Sequence, residues 1–336
     1  MATGNVALNN ISATYSGADL NEMFYEPVFR SDDIMRNYRV IPNVKHVMNV
    51  YTSAALTKIV ESYSGCSSDS QDPFSSFNID DKTITAGRCR VALEECSSQF
   101  FDSFIEESYR SGVDVNNLEG TTVGDAILNR TMKGVASDVV RLAWGGDIAG
   151  AVAGYTAFDG WMELMKAETV STLLTVASGA PTAAEAIALI RQVYDGAPAA
   201  LQQVPAGDKK MFVTPKIYNA YLANLEGSSA DLAIVNTVDG YTRVSFRGVQ
   251  IVPMYEWDTI VADTNPDLFL NGGTNHTNGM AYCAVDNLII GSDVTDPESS
   301  FKMFYDDLEE KMFVRGYFKL GVQYLYSSLV QWGLCI

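Results

Sequence analysis

Leu128, Met132, Val135, Val139 and Leu142 recur at steps of four, three, four and three residues. On an α-helix that spacing draws one continuous apolar stripe, which has to be buried against something. The stripe is bounded at both ends. Thr122 with Asp125 three residues on is a candidate capping box, and Gly145-Gly146 is a candidate stop. A helix from Thr122 to Trp144 would be roughly 35 Å long at about 1.5 Å per residue, which is long for a globular protein. Such a rod suits a framework for assembly better than a catalytic scaffold.

The segments before the rod are extended. Residues 1–42 are polar and irregular, yet they hold Tyr15, Phe24, Tyr25, Phe29 and Tyr38, which predicts an arm laid along other surfaces. Val40–Tyr51 reads as extended, with Val44, Val47, Met48 and Val50. Ser62–Ser76 then brings seven serines, two aspartates, a glycine and Pro73, before Phe77–Val91 resumes a strand pattern with Thr83, Ile84 and Thr85. Two extended arms around a polar tip predict a long β-hairpin projecting from the body. Leu93, Cys96, Phe100, Phe104 and Ile105 predict a helix over Leu93–Tyr109, and Ser111–Gly120 reads as a linker into the rod.

Beyond the rod the chain alternates helices and strands. The Gly/Ala-rich Ile148–Ala157 leads through Phe158-Asp159-Gly160-Trp161 into a short helix, and a compositional boundary falls at Ser178–Pro181. Thr182 and Glu185 form a second candidate capping box, opening a helix with Ile187, Ile190 and Tyr194 inward. Lys210–Val213 reads as a strand, Thr214 as an N-cap, Pro215 as the first helical residue and Gly227 as the close of a helix reaching Leu225. Asp239-Gly240 predicts a hairpin turn between Ile234–Val238 and Tyr241–Phe246. At Gly248 the apolar phase flips to Val249 and Ile251, which predicts a bulge or bend. Further strands are expected at Ala281–Val285 and Leu288–Ile290. Met312, Val314, Phe318, Leu320, Val322 and Tyr324 alternate with Arg315, Lys319 and Gln323 along one unusually long strand. The fold class is α+β.

Charge and motifs remove most other classes. The 336 residues include 23 basic and 41 acidic ones, a net charge of −18. No run of Lys or Arg supplies the patch that a simple nucleic-acid binder needs. With 47% hydrophobic residues, a chain of this length can bury a sizeable core in about two domains. No Lys or Arg precedes Arg30, so signal- and transit-peptide patterns are missing. The most apolar stretch, Phe318–Ile336, is broken by Lys319, Gln323, Ser327, Ser328 and Gln331 and alternates like a strand. Cys66, Cys89, Cys96, Cys283 and Cys335 are odd in number and lack C-x-x-C spacing, which predicts packing roles in a reducing compartment.

Catalytic constellations are missing too. His46 and His276 have no second ligand at metal spacing, and no nucleophile elbow, P-loop or dinucleotide fingerprint occurs. Gly145-Gly146-Asp147 follows a helix and reads as its stop, not as a phosphate loop. Asp263, Asn265 and Asp267 occupy the first, third and fifth places of a calcium loop, but Leu268 stands where glycine is required and Thr274 where the bidentate acid belongs. Glu94-Glu95, Glu106-Glu107 and Glu309-Glu310 are adjacent pairs that diverge on a helix. No catalytic, cofactor-binding or metal residue is assigned, no cofactor is expected, and the chain is expected not to be an enzyme.

The order of elements resembles the major capsid protein of tailed bacteriophages, with the Hong Kong 97-type shell fold. The resemblance rests on Lys82–Ile105, Thr122–Asp147, Met211–Gly227, Arg247–Pro253 and Lys311–Gln331, and covers most of the chain. It implies an N-terminal arm (1–42), an extended β-hairpin loop with flanking strands (43–90) that reaches over a neighbour, and a peripheral domain (91–174) built on the spine helix 122–144. An axial α/β domain (175–293) and a return to the peripheral domain (294–336) complete it. It further implies hexamers and pentamers closing into an icosahedral shell around double-stranded DNA, without sequence-specific binding and without a membrane. That shell would be assembled in a host cytoplasm and found in the virion. Portal and decoration or head–tail proteins are expected partners. A separate scaffolding protein is expected as well, because no long cleavable region precedes the arm. Lys58 and Lys82 are the lysines between Tyr51 and Arg90 of the loop, and no cross-link is assigned to them. The alternative is an encapsulin-like nanocompartment around enzyme cargo, which the aromatic-studded arm disfavours.

Overall fold

The computed structural model of the chain describes residues 13–15, 37–53, 79–96, 122–150, 152–166, 171–174, 181–227, 237–238, 241–242, 244–264, 277–293, 301–306 and 311–335. The first half supplies β1 (Ala13–Tyr15), β2 (Arg39–Pro42), β3 (Val47–Ser53), β4 (Ile79–Thr85) and β5 (Gly87–Cys96), then α1 (Thr122–Gly145), α2 (Trp161–Met165) and β6 (Ser171–Leu174). Next come α3 (Ala183–Asp195), α4 (Ala199–Gln203), β7 (Lys209–Val213), α5 (Pro215–Gly227), β8 (Thr237–Val238), β9 (Tyr241–Thr242), β10 (Ser245–Phe246), β11 (Val249–Pro253) and α6 (Tyr255–Thr264). The chain finishes with β12 (Asn278–Ala284), β13 (Leu288–Asp293), β14 (Phe301–Asp306), β15 (Lys311–Tyr324) and β16 (Val330–Cys335).

Two six-stranded sheets organise these elements. One runs β1-β14-β15-β13-β2, with β5 paired to β15; the other runs β10-β11-β7-β12-β16-β6. The 24-residue α1 buries Met132, Val135, Val139 and Leu142 of the predicted stripe in the same core as Val314, Phe318, Leu320, Val322 and Tyr324 of β15; the Leu128 side chain lies outside the described residues. Alternation along β15 thus places its apolar face on the helix side, as its sequence predicts. A separate core beneath α3 and α5 takes in Leu189, Ile190, Val193, Ile217, Tyr221, Met211 and Val213.

Gly145-Gly146 does end α1, but not through a left-handed residue. Neither glycine has positive φ; among the described glycines only Gly154 and Gly248 do. What Gly146 supplies is closeness: its N–H donates to Leu142 O at 2.9 Å and its carbonyl accepts from Gly160 N at 2.8 Å. A Cβ there would stand 2.3 Å from the Phe158 carbonyl oxygen. The helix includes Thr122, and the side chains of its predicted capping box lie outside the described residues.

Several expectations need correcting. Leu93–Cys96, expected as the start of a helix, ends β5, where ten residues from Gly87 to Cys96 pair antiparallel with β15. A continuous ladder outweighs a local 3.6-residue pattern, and the rest of that expected helix lies outside the described residues. On α3 the buried face is Ala186, Leu189, Ile190 and Val193, with Ile187 and Tyr194 only half-buried. Its capping box is present as read, with Thr182 and Glu185 exchanging side-chain and backbone hydrogen bonds.

Thr214 caps α5 only through its carbonyl, which accepts from Tyr218 N at 3.1 Å. Its buried hydroxyl has no hydrogen-bond partner. The bend at Gly248 is a two-residue hairpin turn. Arg247 (φ 48°) and Gly248 (φ 84°) are both left-handed, and Phe246 pairs with Val249 across them. That is a type I′ turn, which glycine eases at the second position. β8 and β9 pair across Asp239-Gly240 as predicted.

The sheets also cut across the expected boundaries. β6 and β16, outside 175–293, belong to the sheet of β7, β11 and β12, whereas β13, inside it, pairs with β15. The strand-like stretch Phe318–Ile336 divides into the end of β15 and a separate strand, β16. It is buried along its whole length, Gln331 included, so its polar interruption is no mark of exposure.

Candidate functional site: the hairpin ribbon and the aromatic hub

β3 and β4 form the predicted hairpin arms, in register from Val47↔Thr85 to Ser53↔Ile79. The predicted tip between them lies outside the described residues. One face of this two-stranded ribbon is seated. Ile84 packs with Val44, Ala86 and Ile289, and Lys82 Nζ lies 3.7 Å from the centre of the Tyr324 ring. Gln323 Nε2 donates to Thr83 O at 2.8 Å, and Ser53 N to the Tyr326 hydroxyl at 3.2 Å. The other face is bare. Val47, Asn49, Tyr51 and Ser53 on β3, with Ile79, Asp81, Thr83 and Thr85 opposite them, are all exposed. Tyr51 is 72% exposed, Ile79 56% and Val47 54%. A lone two-stranded ribbon is marginal in water, so three apolar side chains on its open face mark it as a surface made to be covered.

The second feature lies where α1 meets both sheets. All four tryptophans of the chain converge there. The Trp144 ring is 5.0 Å from Trp161, 5.0 Å from Trp257 and 5.8 Å from Trp332, each approach edge-on, the geometry that ring quadrupoles favour. Tyr38, from the expected arm, stacks on Trp161 at 4.9 Å and Phe212 at 5.7 Å, and its hydroxyl accepts a 2.9 Å hydrogen bond from Trp144 Nε1. Beside it Lys210 Nζ donates to Asn37 Oδ1 at 2.7 Å in a buried setting. Phe212 and Trp332 belong to one sheet and Tyr38 leads into β2 of the other, so the hub is the joint between them. At its rim Arg141 lies over Tyr155, whose hydroxyl donates to Asp263 Oδ2 at 2.8 Å.

Among the described residues, none of those considered for chemistry comes together. His46 is exposed on the approach to the ribbon, and His276 lies outside the described residues. Asp263 sits on α6 as the acceptor for Tyr155, not in an open cation loop. Glu94 stands on a strand and pairs with Lys311 at 3.5 Å. Among the described residues no three His, Cys, Asp or Glu are placed to hold a metal. No described helix is long and apolar enough to cross a membrane. Cys89, Cys283 and Cys335 are buried and free. Burial pushes the Cys89 thiol up to about 12, Cys335 to about 11 and Cys283 higher still, so all three stay protonated packing groups.

Neither a protein-family profile nor a curated protein sequence matches the chain. Solved structures do. A chain of the satellite phage P4 procapsid including size determination (Sid) protein superposes with TM-score 0.62 at 10% identity, over 94% of this chain and 90% of that one. A chain of the capsid of Myoviridae phage XM1 gives 0.50 at 9% identity, over 90% and 91%. The holo-SrpI encapsulin complex from Synechococcus elongatus PCC 7942 scores 0.48 at 8% identity, over 90% and 85%, too slight a likeness to reason from. The chain therefore has the fold of the tailed-phage capsid proteins, a mixed α+β architecture.

Proposed function

We propose that this chain is a major capsid protein that self-assembles into hexamers and pentamers of an icosahedral shell enclosing phage double-stranded DNA. The observation that supports it most is the β3–β4 ribbon, seated on one face and bare on the other, in a chain whose fold is shared with phage shells. A self-assembling subunit needs a heterologous contact, one surface of a copy meeting a different surface of the next, and closing that contact makes rings. In this reading the ribbon is the extended loop and α1 is the spine helix of the peripheral domain, with the sheet containing β15. The sheet of β7, β11, β12, β16 and β6 forms the axial domain, so that domain takes in 171–174 and 330–335 beyond the expected 175–293. The subunit works by contact, with no catalytic step, inside the virion. Scaffolding, portal and decoration proteins are its proposed partners.

Expression of the full chain, alone and with neighbouring virion proteins, followed by electron microscopy of the purified material and assay of its nucleic acid, tests the proposal. Closed megadalton particles are expected. A persistent monomer under all conditions refutes it, and particles filled with protein cargo would favour the nanocompartment instead.

A further inference from the structure

The β3–β4 ribbon is a sheet of two strands, so among the described residues each strand has one edge without a partner strand. Backbone groups along an antiparallel strand alternate between the partner and the outer side. Three bonds fix the phase here. His46 O accepts from Ala86 N at 2.8 Å across the base of the ribbon, whereas Ser53 N and Thr83 O are bonded outward, to Tyr326 and Gln323. The odd-numbered residues therefore turn their N–H and C=O outward. On β3 those of Val47, Asn49 and Tyr51 have no bond among the described residues. The strand also lacks the usual guards. Val47–Ser53 is V-M-N-V-Y-T-S, without charge, proline or glycine, although uncovered edges commonly carry charge or proline against pairing with other chains. β4 does carry charge, as Asp80, Asp81 and Lys82, and Gln323 already takes its outward carbonyl at Thr83.

We propose that β3 pairs antiparallel with β3 of a second copy, about a two-fold axis between the two Asn49 residues; the contact deepens the shell reading and rests on it for its supply of copies. That register sets Asn49 against Asn49 and Val47 against Tyr51 on each side, and each pair exchanges two N–H···O bonds. Every outward group of the three residues is then used. Slipping the register one way brings in Ser53, whose N–H is already given to Tyr326, and the other way Lys45, which lies outside the strand. The side chains agree with the backbone. A β-branched residue meets an aromatic ring twice across the new seam, which is a stabilising pair. Asn49 Nδ2 donates to Asp81 Oδ2 at 3.4 Å, leaving its second N–H and its Oδ1 for the facing amide. Asp81 would stand about 14 Å from its counterpart, three strand spacings, beyond a screening length of about 8–10 Å. Elsewhere two copies of net charge −18 repel, so an uncharged edge favours their approach. The axis stands normal to the sheet, which joins both bare faces into one apolar surface on the same side. A heterologous contact closes rings, and this isologous one links copies from two of them.

The test is disulfide trapping in the concentrated full chain under mild oxidation, mapped by mass spectrometry. Asn49→Cys is expected to give a dimer joined from position 49 to position 49, because facing hydrogen-bonded residues lie about 5.5 Å apart between Cα atoms, within disulfide reach. Thr83→Cys, opposite it on β4, should link to itself at least about tenfold less, since its counterpart stands three strand spacings away. A second measurement needs no variant to fold. Hydrogen exchange of the wild type, read residue by residue, should slow at Val47, Asn49 and Tyr51 on association, while Met48, Val50 and Thr52, already in the β3–β4 ladder, stay protected throughout. A wild type whose odd-numbered amides gain no protection, or position 49 joined only to other positions, overturns the proposal. So does protection that appears only when another virion protein is added, which would give the edge to that protein. Particle formation is scored separately by electron microscopy. A linked dimer without closed particles refutes the shell reading alone, and closed particles without the 49-to-49 link refute only this pairing.

Discussion

Replacing Tyr38 tests whether the aromatic hub holds the two sheets together. The side chain is 3% exposed, and its hydroxyl is the acceptor for the buried Trp144 indole N–H at 2.9 Å. Tyr38→Phe keeps the ring but leaves that indole donor unpaired, which costs about 1–3 kcal/mol. Tyr38→Ala also removes two stacked contacts, at 4.9 Å to Trp161 and 5.7 Å to Phe212. Each such pair contributes roughly 0.5–1.5 kcal/mol, and the residual cavity adds to it, so a total of about 3–5 kcal/mol is expected. The assay is denaturant unfolding of the unassembled chain followed by intrinsic fluorescence. Because every tryptophan lies in the hub, that signal reports this joint and little else. The order wild type, then Phe, then Ala should appear in the unfolding midpoints. Equal midpoints for Phe and Ala would show that the ring contacts do not bear on stability. An Ala variant within about 0.5 kcal/mol of wild type, the range of an ordinary surface substitution, would refute the hub as a joint altogether.

Four further outcomes follow from other sites. Gly146→Ala places a Cβ 2.3 Å from a backbone oxygen and should cost roughly 2–4 kcal/mol or abolish soluble expression. Gly134→Ala, on the same helix with nothing within 4 Å, should raise the melting temperature through about 0.5–1 kcal/mol of helix propensity. The Glu185 carboxyl is held below its usual range by hydrogen bonds from the Thr182 backbone N–H and hydroxyl. Its contribution is therefore present above the unfolded-state value and lost as pH falls through the lower folded one. Thr182→Ala should move the Glu185 titration upward by NMR. Tyr51→Ala with Ile79→Ser, on the bare face of the ribbon, should leave subunit stability within about 0.5 kcal/mol while sharply lowering particle yield. Normal yield would remove the ribbon's open face from the assembly contacts.

How much was legible in the sequence depended on whether the governing forces were local. The α1 stripe, the Thr182 capping box, the β15 alternation and the ribbon arms all declare themselves within one element, through a period or a fixed spacing. Leu93–Cys96 misleads because its fate is decided by β15, more than two hundred residues away. The same distance hides how β5 and β15 set basic residues opposite one another: Arg88 and Arg90 flank a buried cysteine, and Arg315 and Lys319 are separated by Gly316, Tyr317 and Phe318, so only the register joins them. A period-two scan for basic residues within predicted strands could have flagged both halves. The hub was equally hidden, because its aromatic residues come from six separate places along the chain and meet only in the tertiary fold.

α1 has a mechanical consequence beyond its burial. Its 24 residues end at Trp144-Gly145, inside the joint where both sheets meet. At about 1.5 Å per residue the helix is a lever roughly 36 Å long with its fulcrum at the tryptophans. A rotation of about 10° at that fulcrum would sweep the Thr122 end through roughly 6 Å, slightly more than one helical turn. An adjustment small enough to leave the rings in contact at one end is thereby a whole register step at the other.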